Sequence, residues 1–229
     1  MTEKLTAQLI EWADKYNDPL YFQEDPIAFP REFLRRGASL QDIEIAAVFA
    51  AQFAWGRREM IVRDCETLFE HMEWQPYEYV KAGYYRNDDT SIHRTTKWSD
   101  VAGVCRRLRE WYRWHSTLES LSVQEFRATV YGQKEDPRSP DKKINMLRRW
   151  MVRNDGIVDL GLWKKSSPAD LIIPLDTHVH STAQALKLTR RKQKDLRTAV
   201  EITDVFRKIF PDDPAKGDFA LFGYGVDNA

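Results

Sequence analysis

The sequence predicts an all-α fold. Apolar residues recur at spacings of three and four in almost every patterned segment. Ser, Asp and Pro stand where helices start, and no run keeps the two-residue period of a strand. The chain is 229 residues long and 42% hydrophobic, enough for one sizeable domain. No repeat, low-complexity tract or interdomain linker interrupts it.

Taken in order, Leu5, Leu9, Ile10 and Trp12 form a first stripe, and Met1-Thr2-Glu3-Lys4 opens that amphipathic helix instead of a signal peptide. Pro26, Pro30, Phe29, Phe33 and Leu34 mark a short helix after a turn. From Ser39, with Gln41-Asp42 as an alternative start, a helix runs through Ile43, Ile45, Val48, Phe49 and Phe53. It is apolar nearly all round and therefore buried. Gly56 interrupts it. Met60, Ile61, Cys65, Leu68 and Phe69 make an amphipathic helix, and Pro76 begins another. Residues 82–95 are polar and read as a loop. Val101, Val104, Leu108, Trp111 and Tyr112 define the next helix, with Arg106, Arg107, Arg109 and Arg113 opposite. Residues 131–141 form an exposed loop, and Asp141 caps a helix whose apolar face is Ile144, Leu147, Trp150 and Met151. Residues 156–167 are irregular. Helices follow from Asp176 to about Leu188, over Gln193–Phe210, and from Asp218 to Tyr224, the last broken by Gly223 and Gly225.

Lys+Arg and Asp+Glu number 35 each, so the chain is not a globally basic binder, although a local basic face is compatible with zero net charge. Two cysteines, Cys65 and Cys105, cannot build a four-thiolate metal or iron–sulfur site or a disulfide framework. They read as buried thiols of a reducing compartment, and with no membrane-length apolar segment the expected location is the cytoplasm.

The chemistry concentrates in Leu171-Ile172-Ile173-Pro174-Leu175-Asp176. A buried run ends in a proline, so the carboxylate of Asp176 sits at a helix start against the wall of a core. That position suits a charged group held against a reacting atom, and equally an ordinary N-cap. Lys142 and Lys143 open another helix, where the neighbouring ammonium and the positive helix end favour a neutral, nucleophilic amine. Helical phase puts Lys143 on the inward stripe with Leu147 and Lys142 beside it, at the flank where a cleft opens. Lys164 and Lys165 lie in a Gly/Ser-flanked loop that suits solvent or phosphate. His178 and His180 are two apart on a helix and point away from one another, so no metal is expected there; His178 neighbours Asp176. Gln52 ends an apolar helix ahead of Trp55, Gly56, Arg57 and Arg58, a place for a donor–acceptor amide followed by phosphate contacts. Among eight tryptophans, Trp55, Trp150 and Trp163, with Phe222, are candidates for base stacking or for plain core packing.

Ile173-Pro174-Leu175-Asp176-Thr177-His178 resembles the segment bearing the catalytic aspartate of the helix-hairpin-helix base-excision DNA glycosylases, in particular the endonuclease III branch. Ala51-Gln52 is similar to the Ser-Ala-Gln turn with which that branch probes the duplex, and Asp218–Gly225 to its C-terminal core helix. Arg148–Arg153 with Leu160–Lys164 resembles a bacterial branch of the superfamily. The likeness spans roughly residues 40–225 in order. Three marks are missing: the Leu-Pro-Gly-Val-Gly hairpin, the hairpin lysine (Val158 stands at its position) and the four-cysteine cluster. Lys142 and Lys143 lie 34 and 33 positions upstream of Asp176, which resembles the archaeal 8-oxoguanine glycosylase arrangement.

The resemblance implies one glycosylase-like helical domain over 1–229 with two lobes and a cleft between them. The central lobe covers about 40–135, and the N-terminal segment with about 136–229 forms the second. It implies a DNA-repair glycosylase with AP-lyase activity that flips a damaged base, an oxidised purine, out of the duplex. Lys142 is then the nucleophile, Lys143 its rival, and Asp176 the stabilising carboxylate. Gln52, Trp55, Trp150, Trp163, His178 and Phe222 meet the substrate, and Arg57, Arg58, Lys164 and Lys165 hold phosphates. No cofactor or metal is required, and the partner is damaged duplex DNA bound by a monomer. The alternative is a nucleic-acid-binding module that keeps the fold without the chemistry.

Overall fold

Eleven α-helices, three short 3-10 helices and one two-stranded antiparallel sheet account for the regular structure of residues 1–228, the residues described by the computed structural model. The protein is all-α, as its periodicity predicts. Backbone contacts divide it into two units, Phe22–Asp136 and Met1–Tyr21 with Pro137–Ala229.

The unit Phe22–Asp136 is built on α3 (Leu40–Phe53). Ile45 to Ala51 is wholly buried, because this helix has neighbours on every side: α2 (Ala28–Arg35), α4 (Arg58–His71) and α5 (Pro76–Ala82). Ser39 Oγ caps it by accepting the Asp42 N–H at 3.1 Å. Its one interior charge, Glu44, accepts from the Tyr112 hydroxyl at 2.7 Å and the Leu118 N–H at 3.0 Å. Burial beside this carboxylate pushes the Tyr112 phenol well up. Cys65 and Cys105 are buried free thiols whose ionisation burial pushes up.

The loop expected over 82–95 contains a strand. β1 (Ser91–His93) pairs with β2 (Thr96–Lys97), Ser91 opposite Lys97 and His93 opposite Thr96. Burial of Ile92 and His93 drives this pairing, a tertiary cause that short-range pattern does not carry. Two further helices follow, α6 (Trp98–Tyr112) and α7 (Val123–Thr129). The sequence reading has no helix at α7; a capping box between Ser122 and Glu125 starts it.

The other unit contains α1 (Glu3–Tyr16), α8 (Lys142–Val152), α9 (Thr177–Ala185), α10 (Leu196–Arg207) and α11 (Gly217–Asp227). Leu9 and Ala13 of α1 meet Ile173, Leu175, Ala183, Ile202, Phe206 and Ala220 in one cluster. α11 runs unbroken through Gly223, contrary to the expected interruption. A Cβ at Gly223 would lie 2.1 Å from the Tyr16 ring, so glycine here permits close packing of α1 on α11 instead of ending the helix. α9 stops at Ala185, short of Leu188, with Lys187 in the left-handed region. α10 starts at Leu196, with Asp195 as its cap, and ends at Arg207, inside the expected Gln193–Phe210.

Candidate functional site

Four side chains of one unit form an electrostatic cluster: Lys142 and Arg149 on α8, Asp176 before α9, and Asp218 in the first turn of α11. Asp218 reports the cluster. Burial raises its ionisation, the Arg149 guanidinium opposes that, the Asp176 charge adds to the rise, and the Lys142 charge opposes it. Two cations and a second carboxylate therefore act on Asp218.

Asp176 stands where the sequence predicts. Leu171, Ile173 and Leu175 are buried, and the Ile173 N–H donates to Thr203 Oγ1 at 3.1 Å, which fixes the incoming strand of chain. Asp176 Oδ1 accepts the Val179 N–H at 2.9 Å, so the residue is an N-cap. Oδ2 accepts no hydrogen bond among the described residues. One half-buried carboxylate thus caps a helix with one oxygen and keeps the other available.

Lys142 and Lys143 open α8 behind Asp141, which has φ 40° and ψ 49°. The expected Asp141 cap is not made. The left-handed backbone turns its carboxylate away from the first-turn amides, and Ser139 Oγ donates to it at 3.0 Å. Asn145 Nδ2 holds the Pro140 carbonyl at 2.8 Å, and so retains the turn. A non-glycine residue in this conformation costs about 1 kcal/mol or more. Burial, then the Lys142 charge, bring the Lys143 amine down from 10.5 to about 8. The two lysines thus differ: the Lys142 charge acts on Asp218, whereas Lys143 is the desolvated amine.

Arg149 and Arg153 belong to the framework and not to a solvated basic face. Arg149 pairs with Asp218 and lies 3.3 Å from Asp159. Arg153 is 1% exposed and pairs with Asp159 at 2.5 Å, Asp155 at 2.8 Å and Asp213 at 2.8 Å. Asn17 Nδ2 completes the chain of contacts to Asp155 at 2.7 Å. Every member of this network has a partner of opposite charge, as burial requires. It ties α8 to the 155–159 loop, to Asp213 and to the start of α11.

The segment between α8 and α9 holds one 3-10 turn, Pro168–Asp170, and no helix-hairpin-helix. Leu160 and Gly161 donate to the Trp150 carbonyl at 2.7 and 3.2 Å, and Trp163 to the Met151 carbonyl at 2.8 Å. These amides close the C-terminal end of α8 and are spent there.

Trp150 and Trp163 are each 1% exposed, so they are core residues without a free stacking face, which corrects their assignment to base stacking. Phe222 is half-buried with its ring edge-on to Tyr16 and Tyr21, at 5.7 and 6.2 Å. His178 is exposed in the first turn of α9, and His180 is buried with Nε2 2.9 Å from the Arg191 carbonyl. Lys164 and Lys165 are exposed. In the other unit Gln52 and Trp55 are half-buried and Arg57 and Arg58 exposed.

Sequence reasoning misses Asp218 and Arg149. A signal exists: Arg149 is flanked by Trp150 and Met151 on an amphipathic helix, and Asp218 precedes a wholly apolar run. Each reads as an exposed end until the two are seen to be partners. No group of residues able to hold a metal occurs among the described residues, and none of their helices is long and apolar enough to cross a membrane.

An all-α protein with a cluster of one lysine, one arginine and two carboxylates is the class that fold and site define. The chain belongs to the family described as protein of unknown function (DUF2400), whose model matches residues 25–138 and 125–227. No curated protein and no solved structure matches it.

Proposed function

We propose that this protein is a DNA-repair N-glycosylase with associated AP-lyase activity, acting on a flipped, damaged base, an oxidised purine. The observation that carries the reading is that the charges of Lys142 and Asp176 both act on the buried Asp218 carboxyl. Geometry comes before basicity in choosing the amine. Lys142 is the lysine whose charge acts on Asp218, so Lys142 Nζ attacks C1′ of the sugar as the bond to the base breaks. The free oxygen of Asp176 stabilises the cationic sugar and takes the ammonium proton. Opening of the sugar gives a Schiff base, and β-elimination then nicks the strand. Lys143 supplies the neighbouring cation. Arg57, Arg58, Lys164 and Lys165 contact phosphates, and Gln52 reads the duplex. The protein works as a monomer in the cytoplasm, in keeping with two free, buried thiols.

Borohydride trapping on a duplex carrying 8-oxoguanine or an abasic site tests this. The expected outcome is a covalent complex with the wild type, none with Lys142→Gln, and a weakened one with Lys143→Gln. Trapping lost only in Lys143→Gln would move the nucleophile to Lys143, whose lowered amine also suits the role.

A second reading, a nucleic-acid-binding module without chemistry, is favoured by one observation. The amides of Leu160, Gly161 and Trp163, in the stretch where the helix-hairpin-helix glycosylases clamp phosphate, are bonded to α8. Duplex binding with neither trapping nor base release would establish it in place of the first.

A further inference from the structure

The β-hairpin of the unit Phe22–Asp136 was read from sequence as a plain loop, yet it grips the turn between α3 and α4. His93 is fully buried and stacks on Phe53 at 5.0 Å. Its Nδ1 lies 2.7 Å from Asp64 and its Nε2 3.0 Å from the Trp55 carbonyl. The ring thus bridges Asp64 of α4 and the backbone of the turn that follows α3. The next residue, Arg94, has φ 53°, and the Ser91 hydroxyl donates to its carbonyl at 2.5 Å. Its guanidinium lies 4.2 Å from the Trp55 ring centroid. It also covers Gly56, where a Cβ would meet Arg94 Nη1 at 2.6 Å. Gly56 itself has φ 111°. The backbone therefore requires glycine at this turn, and its missing Cβ leaves room for the guanidinium.

The result is a local concentration of cations. Arg94, Arg57 and Arg58 are exposed, and none pairs with a carboxylate among the described residues. Asp64 is already engaged by the Arg63 guanidinium at 2.7 Å and by the His93 ring, which leaves Glu59 as the acid of the first turn of α4. Guanidinium groups bind phosphate through a planar fork. Here one of them lies over an indole, which restricts where the fork can point.

We infer that Arg94, held against Trp55 by the His93–Asp64 clamp, is a third phosphate-gripping residue beside Arg57 and Arg58, and that the partner of this surface is a nucleic-acid backbone. The inference rests on the nucleic-acid reading above and adds a contact that the sequence does not mark.

Fluorescence anisotropy of a labelled random-sequence duplex over a salt series tests it with the full-length protein. Each lost phosphate contact lowers the slope of log affinity against log salt by about 0.9. Arg94→Ala is expected to lower that slope by about one and weaken binding several-fold at low salt. Arg94→Lys is expected to restore the slope, since it returns the charge. Arg94 is exposed, so these variants keep the fold, as thermal melts will verify. Loss of slope in an Arg57→Ala/Arg58→Ala double variant with none in Arg94→Ala overturns the inference and leaves the nucleic-acid reading standing. Failure of the wild type to bind duplex in a salt-dependent way overturns both.

Discussion

Arg149 of α8 grips the carboxylate of Asp218 at the start of α11, and the same guanidinium touches Asp159. The pair joins the buried charge framework to the carboxylates beside Lys142. It holds the cluster in place from behind: Arg149 is 5% exposed and turns its charge inward.

Removing that cation leaves Asp218 uncompensated in the interior. Arg149→Met is expected to cost about 3–5 kcal/mol, the range for breaking one side of a buried ion pair. The midpoint of urea unfolding measures it. A midpoint equal to the wild type would mean that solvent, and not Arg149, compensates Asp218.

Asp176 has two separable roles. Asp176→Asn keeps an N-cap, so the fold and melting temperature should be retained while base excision and trapping are lost. Asp176→Ala should lose both, with a stability cost of about 1 kcal/mol for the cap. Full activity in Asp176→Asn on the true substrate would reduce this residue to a cap.

Lys143 gives a pH signature. Its amine ionises at about 8 in the folded chain against 10.5 when free. Below pH 8 both states carry the proton, and the full penalty of burying it is present. Between 8 and 10.5 the unfolded chain binds the extra proton, so stability rises with pH across that window. Lys143→Met should remove the rise and stabilise the protein at neutral pH, by up to about 3 kcal/mol. Parallel unfolding curves for the two proteins over that window would contradict the burial of this amine.

Gly223 tests the packing of α1 on α11. A methyl group there meets the Tyr16 ring at 2.1 Å, so Gly223→Ala should destabilise despite the better helix propensity of alanine. The cost expected of such overpacking is about 1–3 kcal/mol. The double variant Gly223→Ala/Tyr16→Leu should recover part of it in calorimetry.

The sequence by itself determined the helical class, the buried course of α3, the start of α9 and the place of Asp176. Each follows from local rules: apolar residues every three or four positions, proline barring the helix before it, a carboxylate at the first turn. Tertiary structure decided the rest. The β-hairpin exists because Ile92 and His93 are buried, and α11 continues through Gly223 because Tyr16 needs the space. Trp150 is core, although its flanking charges look like those of a surface residue, because Arg149 and Arg153 are themselves buried with Asp159; Trp163 is core beside the exposed Lys164 and Lys165, its N–H bonded to the end of α8. A charge adjacent in sequence says nothing of whether a partner waits across the fold. That partner, from Asp159, Asp213 or Asp218, is fixed by chain segments up to 69 residues away, as between Arg149 and Asp218.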